Sequence, residues 1–207
     1  MRIALKVPKA LAIAACLIIA CLGNKPHEGT TYLAIGASET AGYGVKAQDS
    51  YPSLVADACS AHLVVVAFPG EPSLQQVVPT TGASFASLFI DLNDFSVMGP
   101  DGAIANFMRI SKALSTIRRR VLVLMPPLRS IPGAASFPDI VSERQREFYR
   151  KIRPLIKTFG YTAVWLRPPT SADLLLADLI HPSPAGHREI AAAVSNAFSC
   201  VRQHRLK

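Results

Sequence analysis

Five short apolar runs punctuate the chain, and longer segments of mixed polarity separate them. Tyr32-Leu33-Ala34-Ile35 ends at Gly36, and Leu63-Val64-Val65-Val66-Ala67 stops before Pro69-Gly70. Phe85 to Ile90 leads into Asp91-Leu92-Asn93-Asp94, Val121 to Met125 meets Pro126-Pro127, and Thr162 to Leu166 is the last. Short continuous apolar runs closed by Gly, Pro or Asp read as strands buried on both faces. The segments between them carry a helical period. One helix covers about Ser53 to Cys59. A second is capped by Asp101 and buries Ile104, Phe107, Ile110, Leu114 and Ile117. A third starts at a capping box, Ser142 with Gln145, and lines Phe148, Ile152, Leu155, Ile156 and Phe159 on one face. Pro154 lies inside it and is expected to kink or interrupt it. The last starts at Ser183-Pro184, with Ile190, Val194, Phe198 and Val201 on its stripe. Strands alternating with helices, joined by right-handed crossovers, predict an α/β domain over residues 30–200. Its architecture is a three-layer α/β/α sandwich around a five-stranded parallel sheet. Sites in such sheets form beyond the carboxyl ends of the strands.

The first thirty residues follow a different pattern. Arg2, Lys6 and Lys9 precede an apolar run from Ala10 to Leu22. A basic start before a short apolar run is the mark of a secretory signal peptide, and the run is too short for an ordinary transmembrane helix. Ile18-Ile19-Ala20-Cys21 also fits a bacterial lipobox, in which Cys21 becomes the lipidated first residue of the mature chain. A plain cleaved signal and a signal anchor are the alternatives. The expected organisation is a signal over 1–20, a tether over 21–29, the domain, and a basic tail over 201–207. Such a protein is exported to the cell envelope, periplasm or exterior, tethered to the membrane through Cys21.

Charge and composition narrow the field further. The chain has 207 residues, half of them hydrophobic and 17% charged, which excludes disorder and suits one domain with a sizeable core. The formal charge is +8, and removal of residues 1–20 takes away three basic groups and no acidic ones, leaving +5. The densest basic run, Arg118-Arg119-Arg120, reads as a solvated helix end. With no zinc finger, aromatic RNA-binding motif or basic helix in the sequence, a nucleic-acid partner is not expected. Export would leave Cys59 and Cys200, either a disulfide between helices packed on one sheet face or two buried free thiols.

Four segments carry candidate chemistry, and all follow predicted strands or precede the last helix. They are Gly36-Ala37-Ser38-Glu39-Thr40-Ala41-Gly42-Tyr43-Gly44, Phe68-Pro69-Gly70, Leu92-Asn93-Asp94 and Asp178-Leu179-Ile180-His181-Pro182. A serine at a strand-to-helix junction projects its hydroxyl into the crevice. It needs a base to become a nucleophile, and the base needs a group that fixes its tautomer. Asp178, three residues before His181, can fold back on the imidazole within one turn. The glycines of the first segment match neither a phosphate loop nor a dinucleotide fingerprint, and it is not the elbow of the α/β-hydrolases.

Taken together, in this order, the four segments resemble the four blocks of the SGNH (GDSL-like) hydrolase family, across essentially all of residues 30–200. The resemblance implies a flavodoxin-like fold and a serine esterase or acyl hydrolase without cofactor or metal. It makes Ser38 the nucleophile, His181 the base and Asp178 its orienting carboxylate. The Ser38 and Gly70 backbone N–H groups and the Asn93 amide would form the oxyanion hole, with Asp94 supporting the loop. Two positions depart from the family's pattern. Ala37 stands where an Asp is common, and Asp91 stands where the third block usually has Gly, so that turn is expected to differ. The implied substrate is a small ester: a short acyl ester, an acetylated sugar or a lysophospholipid. The same residues also suit acyl transfer, and a catalytically silent binding or scaffold protein could keep them. Of the remaining residues, His187 is expected to face solvent or the turn of its own block, Trp165 to lie in the core at a strand end, and Glu39 and Glu71 to lie beside the crevice in ordinary surface roles, with a bias on substrate charge as the alternative. The connections look short, and the crevice open.

Overall fold

The computed structural model describes residues 29–78 and 82–200. The signal, residues 21–28 of the tether with Cys21, and the basic tail with Val201 lie outside the described residues. Five parallel strands, β1 (Thr31–Gly36), β2 (His62–Ala67), β3 (Phe85–Ile90), β4 (Arg119–Leu124) and β5 (Tyr161–Trp165), form one sheet in the order β2-β1-β3-β4-β5. Among the described residues, six α-helices accompany them: α1 (Ser38–Ala41), α2 (Tyr51–Ala58), α3 (Leu92–Val97), α4 (Pro100–Ala113), α5 (Asp139–Thr158) and α6 (Pro184–Ala197). This is the expected α/β fold.

The order explains where a site can sit. From β1 the chain moves to one flank through α2, then returns across β1 to β3 and continues outward through α4 and α5. Right-handed crossovers in opposite directions put α2 on one face and α4 and α5 on the other. α6 joins α2, and α4 packs on α5. The reversal opens a crevice at the carboxyl ends of β1 and β3. β3 is buried along its whole length, whereas β2, at the edge, is half-buried. Tyr32, Leu33, Phe85, Leu88, Phe107 and Phe148 are among the fully buried side chains of the core. Cys59, at the end of α2, is bonded to Cys200, just beyond α6, so the disulfide clamps two helices of one face.

Several local expectations are corrected. Gly99, not Asp101, is the N-cap of α4, and Asp101 lies in its first turn, where its charge complements the helix dipole. The Ser142–Gln145 pair is not a capping box, because α5 starts three residues earlier after Pro138. Gln145 instead accepts a hydrogen bond from the Leu128 N–H at 2.9 Å and donates to the Pro126 carbonyl at 3.0 Å, holding the segment that leaves β4. Pro154 does not interrupt α5. It is exposed, so water can serve the backbone carbonyl that the proline leaves without an N–H partner. Arg119 and Arg120 open β4 rather than closing a helix. Arg119 bonds the Phe198 carbonyl and lies over the Phe85 ring, while Arg120 lies over Tyr161. The connection from β5 to α6, residues 166–183, is long rather than short, and it carries half of the site.

Candidate active site

The chain turns sharply from β1 into α1. Gly36 makes this possible, since a Cβ there would stand 1.9 Å from Thr40 Oγ1. Ala37 has φ −122° and ψ −128°, an uncommon backbone conformation, and Ser38 follows as the first residue of α1. The turn therefore holds the Ser38 side chain at the rim of the sheet, in a largely buried position.

From the opposite end of the chain, the 166–183 connection folds over the same rim. Leu175 bridges to Pro182, and the Leu176 N–H donates to the His181 carbonyl at 2.8 Å, closing a tight loop. Asp178 Oδ1 accepts from the Ile180 and His181 N–H groups at 2.9 and 3.0 Å. Its Oδ2 meets His181 Nδ1 at 2.7 Å, and His181 Nε2 lies 3.1 Å from Ser38 Oγ. The expected convergence of Ser38, His181 and Asp178 is thus present, across 143 residues of sequence. Burial works to raise the Asp178 carboxyl, but the hydrogen bonds from His181 and Ile180 outweigh it and hold the group below its ordinary range. The Tyr43 ring packs on the imidazole, centroids 4.5 Å apart, a contact that the spacing of residues did not suggest.

The other predicted residues are placed by topology at the same rim. Gly70 follows β2, and Asn93 is the second residue of α3, after β3; these strands flank β1 on its two sides. Gly70 has φ +82°, a conformation that glycine adopts without strain. Asp94 is fully buried and acts as a brace. Its Oδ1 accepts from the Leu74 N–H and its Oδ2 from the Asp91 N–H. Burial lifts its carboxyl to about 7 despite these bonds.

Asp91, at the position that departs from the family's glycine, is also fully buried and caps α3 through the Asn93 N–H at 2.9 Å. Burial, then the charges of Glu39 and Asp94, push its carboxyl well above the ordinary range. Glu39 is buried as well, contrary to the surface position expected of it, and accepts the Ser38 hydroxyl at 3.1 Å. His187 does not face solvent: it is fully buried, and its Nδ1 accepts the Tyr51 N–H at 3.2 Å. Trp165 does end β5 but is partly exposed, with Arg153 over its ring. Glu71 is exposed, as expected. A cavity of about 420 Å³ is bordered by Met125, Trp165 and Ile190 and by Glu39, Ile180 and Pro182, the sequence neighbours of Ser38 and His181, which do not themselves line it.

The family model described as the GDSL-like Lipase/Acylhydrolase family matches residues 34–189. No curated protein matches the chain in sequence. Among solved structures, a protein assigned to the lipolytic G-D-S-L family from Desulfitobacterium hafniense DCB-2 is similar, with a TM-score of 0.67 at 16% identity, over 82% of this chain and 99% of that one. A family two carbohydrate esterase from Clostridium thermocellum, in complex with cellohexaose, has a TM-score of 0.64 at 15% identity, over 86% of this chain and 66% of that one. The salicylyl-acyltransferase SsfX3 from a tetracycline biosynthetic pathway has a TM-score of 0.59 at 17% identity, over 88% and 58%. At such identities the likeness is one of fold.

Proposed function

The chain belongs to the GDSL-like lipase/acylhydrolase family, and from that premise we propose that it is a serine esterase that cleaves carboxylic esters through an acyl-enzyme on Ser38. The observation that carries this reading is the unbroken line of contacts from Asp178 through His181 to the Ser38 hydroxyl. Asp178 accepts from Nδ1–H and so leaves Nε2 free to take the serine proton. Ser38 Oγ then attacks the ester carbonyl. The Ser38 and Gly70 N–H groups and the Asn93 amide are the donors for the developing oxyanion, and loss of one such donor typically lowers turnover by about 10²–10³. His181 returns its proton to the leaving alcohol, and a water, deprotonated by the same imidazole, releases the acid.

The proposed substrates are small esters, among them short acyl esters, acetylated sugars and lysophospholipids. The cavity of about 420 Å³ bordered by Glu39, Ile180 and Pro182, the neighbours in sequence of Ser38 and His181, has room for a modest acyl or sugar unit. The fold likeness to a carbohydrate esterase makes acetylated glycans the class to assay first. Acyl transfer to a second alcohol is the alternative, favoured by the likeness to an acyltransferase; competing alcohols in a product assay separate it from hydrolysis. We further propose that the protein is exported and lipid-anchored at Cys21. The basic and apolar N-terminal pattern supports this, and the Cys59–Cys200 disulfide suits an oxidising compartment.

The test is substitution. Ser38→Ala and His181→Ala should each abolish hydrolysis of p-nitrophenyl acetate with the thermal melt unchanged, and Asp178→Asn should lower turnover by up to about 10⁴. Near wild-type turnover in the Ser38 variant would refute the assignment.

A further inference from the structure

The Ser38 hydroxyl has one hydrogen and two acceptors at equal distance, His181 Nε2 and Glu39 Oε2, each 3.1 Å away. An ester hydrolase needs that hydrogen on the His181 side. Glu39 is therefore a competitor, and its own surroundings decide how strongly it competes. Its carboxyl is in hydrogen-bonding contact with that of Asp91. Two carboxyl groups can make such a bond when one of them is protonated. Asp91 Oδ2 is fully buried, and among the described residues no N–H or hydroxyl group is in place to serve it as donor. A bare carboxylate there would be costly. Neither acid takes part in any of the ion pairs among the described residues.

We infer that Glu39 and Asp91 are positioning residues for Ser38: protonated Asp91 donates to the Glu39 carboxylate and so leaves the Ser38 hydrogen to His181. The inference rests on the hydrolase reading above. When Asp91 loses its proton to solvent, Glu39 loses that donor and Ser38 becomes its remaining partner. The hydroxyl then turns from the imidazole. A second buried negative charge beside the reacting carbonyl also opposes the oxyanion. The pair consequently sets an upper pH limit on turnover, separate from the lower limit that protonation of His181 imposes.

The groups around the pair come from several elements. Tyr51 of α2 faces Glu39 and Asp91, and its hydroxyl is bonded to Thr40. Asp94 of α3 and Tyr149 of α5 face Asp91. Arg167 and Glu189 border the cavity that Glu39 also borders, and His181 lies across Ser38. Burial, then the charges of Glu39 and Asp94, push the Asp91 carboxyl well above the usual carboxylate range, and its buried Oδ2, without a donor among the described residues, favours the same protonated form.

The experiment compares wild type, Glu39→Gln and Asp91→Asn. For each, the second-order rate of fluorophosphonate labelling at Ser38 is measured from pH 6 to 10, with kcat and KM for p-nitrophenyl acetate. Asparagine at 91 reproduces a permanently protonated acid, and glutamine at 39 removes the competing charge. Wild type should lose at least tenfold in labelling rate and kcat along an alkaline limb, with KM little changed, and both variants should lack that limb while keeping the acid one. Melting curves identify a variant that fails to fold, and the other then decides. A limb that persists in a folded variant, or wild type with no alkaline limb, overturns the inference alone. Wild type that is not labelled at any pH overturns the hydrolase reading and this inference with it.

Discussion

His187 illustrates what a single residue contributes outside the chemistry. Its Nδ1 accepts the first N–H of α2, so its Nε2 must carry the hydrogen of the neutral ring, in a fully buried place with no partner for it among the described residues. Burial, with His181 nearby, lowers it from 6.5 to about 4. The unfolded chain therefore binds a proton that the folded one refuses between these values. Stability from this group is complete above about pH 6.5 and is lost as the pH falls toward 4, by up to about 3 kcal/mol. Urea midpoints measured from pH 7 to 4 should show this decline, and His187→Gln, which can still accept the Tyr51 N–H, should flatten it. The burial of His187, Glu39 and Asp91 was not legible in the sequence. Periodicity reports the direction of a Cβ along one element, whereas these polar groups are enclosed by residues from distant elements: Tyr51 over His187, and the β3–α3 turn over Glu39. The one visible signal was the acid at position 91 where the third block usually has glycine. By contrast, Asp178 and His181 were legible because their contact is local, formed within one turn.

Elements were read well where apolar content alone decides them. All five strands stand within two residues of their expected starts and ends, since a parallel strand buried on both faces is simply an apolar run. The last helix was also anticipated to its cap: Ser183 Oγ accepts from the Ala185 and Gly186 N–H groups. Helix starts failed where tertiary bonds replace local ones. Gln145 looks like a capping residue in sequence but spends both ends of its amide on the loop after β4. The arginine run failed for a similar reason, because its charges are served by the Phe198 carbonyl and by aromatic faces. The α2–α6 pair offers a test at this scale. The disulfide closes a loop of sequence separation 141, so its loss should cost roughly 2–5 kcal/mol, mainly by freeing the unfolded chain. Calorimetry of Cys59→Ser with Cys200→Ser should show that drop, while p-nitrophenyl acetate turnover at 25 °C stays near wild type, because neither cysteine lies at the strand rim.

For the whole molecule, the reversal of strand order determines that residues from the two ends of the chain meet. β1 lies beside the reversal and delivers Ser38, and the connection after the outermost strand returns over the rim to deliver His181. This placement was legible in outline from the alternation of strands and helices. The depth of the carboxyl cluster beneath Ser38 was not, since it depends on side chains rather than topology. At the same scale, palmitate labelling of the full chain in a bacterial host should mark wild type and not Cys21→Ala; labelling retained in the variant would contradict the proposed anchor. The account as a whole depends on an activated serine at position 38. Its most direct test is fluorophosphonate treatment of the intact protein followed by peptide mass spectrometry. A single adduct on Ser38, lost in His181→Ala that still folds, is the predicted result. No adduct on wild type, or labelling that His181→Ala leaves unchanged, would contradict it.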